Sequence, residues 1–115
     1  MTETVIDEAV FNEVASLMGD ALSSFLETYL DNSPKLLAAM KEAIPADDLD
    51  AVVHNAHQLK GGSGSIGAML VFRLATQLEE EARGAKKDDL ARAFAELEVA
   101  YGVLAEELKR ICRNE

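Results

Sequence analysis

Residues 56–68 read Ala56-His57-Gln58-Leu59-Lys60-Gly61-Gly62-Ser63-Gly64-Ser65-Ile66-Gly67-Ala68. The stretch holds one of the two histidines and four of the seven glycines. At about 100° per residue a helix gathers Leu49, Val52, Ala56, Leu59, Ser63 and Ile66 into one stripe. His57 then lies roughly 130° from the centre of that stripe, facing water. Lys60 and Gly61, three and four residues on, share its face, and Gly64 extends the strip. Periodicity leaves two endings open: a stop near Gly61, or a bent continuation to about Ser65.

This face has a chemistry. A neutral imidazole, with an ordinary pKa of about 6.5, is a good nucleophile near neutral pH. The Lys60 ammonium can offset the charge of a phosphoryl group placed on His57. Gly61 and Gly64 leave bare backbone beside the ring, so a partner protein can approach closely. Glycines cost a helix interior roughly 1 kcal/mol each against alanine, so helix stability did not place them there. Gln58, about 100° round from His57, either hydrogen-bonds that ring or is simply wet. Ser63 lies on the stripe side, where its hydroxyl ties the helix to a neighbour or caps a turn. His54, one turn earlier, either tunes His57 by like-charge repulsion or is an exposed bystander.

The run His57-Gln58-Leu59-Lys60-Gly61-Gly62-Ser63, preceded by Ala56 and followed by Gly67-Ala68, closely resembles the signature of histidine phosphotransfer (HPt) domains. Leu78-Glu79 and the helical spacing on both sides are similar to that family too. The resemblance covers most of the chain. Gly62 stands where many members carry serine, and the Gly-Gly-Ser-Gly run is similar to HPt domains at the amino end of chemotaxis-type kinases. The resemblance implies a single HPt domain over residues 1–115 that carries a phosphoryl group between receiver-domain aspartates of hybrid sensor kinases and response regulators. It implies His57 as phosphoacceptor, Lys60 and Gln58 beside it, and Gly61 and Gly64 as clearance for docking. It also favours the longer helix. Receivers would dock beside the histidine helix, with Val14, Leu17 and Met18 as candidate contacts. No cofactor is expected in the chain itself; Mg²⁺ would belong to the acidic pocket of the receiver. Nothing resembles a P-loop or an ATP-binding kinase module, so no ATP-dependent kinase activity is expected. Two other readings remain: the phosphoacceptor domain of a larger chemotaxis-type kinase phosphorylated from ATP in trans, and a helical adaptor without chemistry.

The totals agree with a small helical signalling protein. One hundred and fifteen residues with 49% hydrophobic content suit one domain with a real core. A net charge of −10 argues against nucleic acid and anionic membranes. Cys112 is the only cysteine, which excludes an internal disulfide. There is no signal-like start and no apolar run near 18 residues, so a cytoplasmic protein is expected. A monomer is expected as well, because the docking strip must stay free.

Outward from the central stretch the chain reads as helices throughout. Residues 1–6 form a short arm. Asp7 caps a first helix with Val10, Phe11, Val14, Leu17 and Met18 on its apolar side, ended by Gly19. A second helix runs from about Asp20 to Asp31. Ser33-Pro34 restarts the chain as a third helix, which Pro45 stops. Asp47 opens the histidine helix and Ser65 caps the fifth, with Val71, Leu74, Ala75, Leu78 and Ala82 facing inward. The last helix starts at Asp88 or Asp89, and Leu90, Phe94, Leu97, Tyr101, Leu104, Leu108 and Ile111 alternate steps of three and four. The expected fold is all-α: an antiparallel up-and-down four-helix bundle with additional short N-terminal helices. Two patterns are decoys. Gly62–Gly67 matches G-x-G-x-x-G but follows a helix, where the dinucleotide fingerprint needs a strand. Asp50, His54 and His57 share helical spacing but lack a fourth metal ligand, and Lys60 repels a cation. Glu79, Glu80 and Glu81 read as a solvated face.

Overall fold

The computed structural model describes residues 5–113, so four residues of the expected N-terminal arm lie outside the described residues. Five α-helices follow one another: α1 (Glu8–Met18), α2 (Leu22–Ala43), α3 (Leu49–Ser65), α4 (Met69–Arg83) and α5 (Lys87–Arg113), with a 3₁₀ turn at Gly19–Ala21. α3 packs on α2 and α4, and α5 closes the ring against the same two helices. Short connections force neighbours to run antiparallel, giving the expected up-and-down bundle.

Each helix buries the stripe its spacing prescribes. α3 buries Val52, Ala56, Leu59 and Ser63, and Ile66 is buried just past its end. α4 buries Val71, Leu74, Ala75, Leu78 and Ala82. α5 buries Leu90, Phe94, Leu97, Tyr101, Leu104 and Leu108, with small Ala93, Ala100 and Ala105 between them. Large and small side chains alternate, so the helices interlock closely.

The expected restart at Ser33-Pro34 does not occur. α2 runs unbroken through Pro34, burying Leu22, Leu26, Tyr29, Ser33, Leu37 and Met40 along one stripe. An interior proline costs about 3 kcal/mol, but each fully buried leucine or methionine returns roughly 1.5–3 kcal/mol. A stripe continuous across both segments therefore outweighs one lost backbone bond. The N-terminal additions reduce to α1 and the 3₁₀ turn. Ser65 likewise caps nothing: it is the last residue of α3, and its hydroxyl donates to the Gly61 carbonyl at 3.0 Å. Ala68 stands at the start of α4 without a side-chain cap bond. The cap of α3 is Asp48, which accepts from the Ala51 N–H at 3.2 Å, and not Asp47, whose positive φ of 58° places it in the preceding turn. α5 begins at Lys87, one residue ahead of the expected start.

α1 lies across one end of the bundle. Asp7 caps it as expected, accepting from the Ala9 and Val10 N–H groups. The Asp7 N–H also donates to the Gly67 carbonyl at 2.7 Å, tying α1 to the α3–α4 turn. Gly67 has φ +78°, and a Cβ there would lie 3.0 Å from the Asp7 carbonyl oxygen. Turn geometry and close approach both demand glycine. Phe11, Val14 and Met18 pack partly against the core, whereas Leu17, expected on the same apolar side, is 81% exposed.

Candidate functional site

α3 runs straight through its glycines to Ser65, the longer of the two endings. Three contacts account for much of this. Ser63 is fully buried and shares a 2.7 Å hydrogen bond with the Tyr29 hydroxyl of α2, so it ties helix to helix. Gly62 lies against the Tyr29 ring, where an added Cβ would sit 3.3 Å from two ring carbons. Gly64 lies under Phe72 of α4, where a Cβ would meet the ring at 3.0 Å. The clearance expected at Gly64 for a partner is therefore occupied by Phe72: the close approach there is intramolecular. Gly61 alone keeps open space, with nothing within 4 Å of a built Cβ.

His57 is exposed on the outer face of α3, its side chain 63% accessible. Its Nδ1 lies 3.2 Å from Oε2 of Glu79, on α4. A carboxylate only accepts here, so Nδ1 carries the proton, and in the neutral ring it is Nε2 that keeps the lone pair. No described residue bonds Nε2. The ring is thus held in the tautomer that leaves a nucleophilic nitrogen toward solvent.

Glu79 is the residue the sequence reading misplaced. Expected on a solvated face, it is 4% exposed and sits between α3 and α4. Lys60 Nζ lies 2.8 Å from Oε1, and Arg83 reaches Oε2 through Nη2 at 2.8 Å and Nε at 3.3 Å. Burial works to raise the Glu79 pKa, but the hydrogen bonds from Lys60 and Arg83, the Lys60 charge and His57 outweigh it and hold the carboxyl at about 2. The carboxylate is therefore ionised throughout the neutral range. The four groups carry two positive charges and one negative charge with His57 neutral, a local cationic surplus in a chain of net charge −10. Two signals pointed at this residue in the sequence, the Leu78-Glu79 pair and the spacing that places position 79 next to the buried Leu78. Run-of-glutamate composition masked them. Glu80 is exposed and Glu81 half-buried.

Gln58 does not reach the His57 ring. Its amide nitrogen donates to Nε2 of His54 at 2.8 Å, one turn back on the same helix. Gln58 therefore makes no hydrogen bond to the His57 ring, and its geometry fits a role in orienting His54. Asp50, His54 and His57 flank one shallow depression, but no group of three or more metal-ligating side chains occurs among the described residues. No helix among them is long and apolar enough to cross a membrane.

The comparisons agree with this geometry. Residues 24–114 match the model of the Hpt domain family. The chain is 26% identical over 106 residues to histidine-containing phosphotransfer protein 2 of Arabidopsis thaliana, covering 86% of this chain and 68% of that protein. Its structure is similar to that of histidine-containing phosphotransfer protein B from Pseudomonas aeruginosa, with TM-score 0.94, 25% identity and 99% of each chain covered. A histidine-containing phosphotransfer protein from maize shares the fold, with TM-score 0.85 at 22% identity over 96% of this chain and 91% of that one. An exposed histidine on a bundle helix, a family match across α2 to α5 and a bundle superimposable on these relatives lead to one assignment: the chain belongs to the Hpt domain family and is a histidine phosphotransfer protein of phosphorelays.

Proposed function

We propose that His57 is the phosphoacceptor, and that this protein takes a phosphoryl group from the aspartyl phosphate of one receiver domain and gives it to the aspartate of another. The observation that carries the reading is the His57–Glu79 pair: an exposed ring whose inner nitrogen is engaged by a buried carboxylate that is ionised at neutral pH.

The chemistry follows from that pair. The Nε2 lone pair attacks phosphorus in line with the bond to the aspartyl oxygen. The N–P bond forms, the acyl-phosphate P–O bond breaks, and the aspartate leaves as a carboxylate. The ring becomes a phosphorylated imidazolium that retains its Nδ1 proton. Glu79 accepts a hydrogen bond from that N–H and stabilises the positive charge as it develops, a preorganised electrostatic effect. Attack by a second receiver aspartate reverses the steps. No proton has to leave or arrive, so the ring needs no separate general base. Lys60 fixes the carboxylate from the side opposite to His57 and adds positive charge to the site. Gly61, bare and exposed on the same strip, admits the receiver's loops. Exposed Leu17 on α1 supplies an apolar contact to the same class of partner. The partners we propose are receivers of hybrid sensor kinases and response regulators, met by a monomer in the cytoplasm. Mg²⁺ belongs to the receiver, and the chain needs no cofactor of its own.

The test is label transfer. Phosphorylated receiver is mixed with wild type and with His57→Ala, and each is followed by intact mass without acid. Phosphate arriving on wild type, lost in acid and absent from His57→Ala, is the expected result. Labelling of both proteins would overturn the assignment of His57. Labelling only from ATP and a kinase core, with every receiver inert, would replace the relay with the kinase-domain reading.

A further inference from the structure

Beside His57 the surface is hollowed into a depression of about 250 Å³ lined by Asp50, Val53, His54, His57 and Arg83. Lys60 does not line it. The two basic side chains at the site differ in exposure. Lys60 is 24% exposed, its ammonium drawn onto Glu79 Oε1. Arg83 is 61% exposed and holds Glu79 through Nε and one Nη2 hydrogen. A guanidinium has five N–H donors in a fixed plane, so three remain for another acceptor without letting go of Glu79. That acceptor would sit in the depression, which His57 and Arg83 both line, with His57 Nδ1 and Arg83 Nη2 held on one carboxylate oxygen at 3.2 and 2.8 Å.

We propose that the depression is the seat of the phosphoryl group and that Arg83, rather than Lys60, is the side chain that contacts it. This rests on His57 being the phosphoacceptor and divides the labour between the two cations. Lys60 becomes a positioning residue that acts through Glu79. Arg83 becomes a catalytic residue, offering a planar donor pair to two phosphoryl oxygens in the geometry guanidinium and phosphate share. His54 borders the seat, and its Nε2 is engaged by the Gln58 amide. Asp50 is the one carboxylate on the rim and opposes an anion there. The seat is therefore attractive through Arg83 and not through its rim as a whole.

The experiment uses phosphoramidate, a small phosphoryl donor that labels exposed histidine without a receiver. Wild type, Arg83→Ala, Arg83→Lys and Lys60→Met are phosphorylated, the label is mapped to His57, and the phosphoryl group is titrated by ³¹P NMR. A cation in contact with the dianion lowers its second ionisation. Arg83→Ala is expected to raise that midpoint by roughly half a unit or more, Arg83→Lys to restore part of the shift, and Lys60→Met, which removes a more distant charge, to raise it by less than Arg83→Ala. Transfer from a phosphorylated receiver should slow roughly ten-fold or more in Arg83→Ala, the loss expected for a charge-assisted bond. A midpoint that moves with Lys60→Met and not with Arg83→Ala overturns the assignment, as does a midpoint indifferent to both. Failure to label His57 at all would instead remove the phosphoacceptor reading and the seat with it.

Discussion

Replacing Glu79 by glutamine tests the centre of the site at constant size. The wild-type carboxylate, 4% exposed, accepts from His57 and Arg83 and is ion-paired with Lys60. The amide retains one acceptor oxygen but presents an NH₂ group to cations that need an acceptor. Glu79 titrates at about 2 when folded against a reference of 4.5. A carboxyl held lower in the folded state stabilises the fold above its unfolded pKa, and that stability is lost as pH falls toward the folded value. The difference corresponds to about 3 kcal/mol at pH 7, shrinking to about 1 kcal/mol at pH 3. Urea unfolding of wild type and Glu79→Gln, followed by circular dichroism at several pH values, reads this directly. The expected result is a mutant less stable by on the order of 2–3 kcal/mol at pH 7, with the gap closing between pH 5 and pH 2. A gap of the same size at pH 7 and pH 3 would show that lost packing, not lost charge, is responsible, and would refute the electrostatic account of Glu79. Under the proposed mechanism the same variant loses the acceptor that would stabilise a phosphorylated His57 ring. Transfer to His57 should therefore fall by roughly ten- to a hundred-fold, the worth of one charge-assisted hydrogen bond.

Gly61→Ala should leave the fold intact and stabilise it by up to about 1 kcal/mol in urea unfolding, because its new Cβ meets nothing within 4 Å; transfer from receivers should nevertheless fall, while labelling by phosphoramidate should not. Gly67→Ala should destabilise by about 1–3 kcal/mol, by forcing a side chain into positive φ and against the Asp7 carbonyl, as read by thermal melts. Ser63→Ala removes the described hydroxyl bonded to Tyr29 across the α2–α3 interface, and should lower stability by about 1–3 kcal/mol without changing the labelling of His57 by phosphoramidate. Burial pushes the Tyr29 hydroxyl up to about 12, against bonds from Ser63 and Ser33 that lower it. The unfolded chain therefore ionises first, and stability in urea should fall as pH rises from about 10 toward 12.

The sequence exposes the fold and the candidate site to different degrees, for physical reasons visible in particular residues. Stripes are legible because burial imposes a period on them, so the inward faces of α3, α4 and α5 follow from spacing alone. Helix ends are less legible. A proline normally interrupts a helix, and only the depth of burial on both sides of Pro34, set by α3 and α5, decides that it does not. His57 is legible because its neighbours at three and four residues share its face, and local spacing is all that requires. Its partner is not, since Glu79 comes from another helix, 22 residues away, and its burial depends on how α4 is rotated against α3. Read locally, a run of three glutamates, Glu79 to Glu81, is solvated surface. Lys60 shows the same limit from the other side: one-dimensional spacing places it beside His57 and suggests a phosphate ligand, whereas the fold turns its ammonium inward onto Glu79. That inward turn leaves Arg83, on the other oxygen of the same carboxylate, as the more exposed of the two cations.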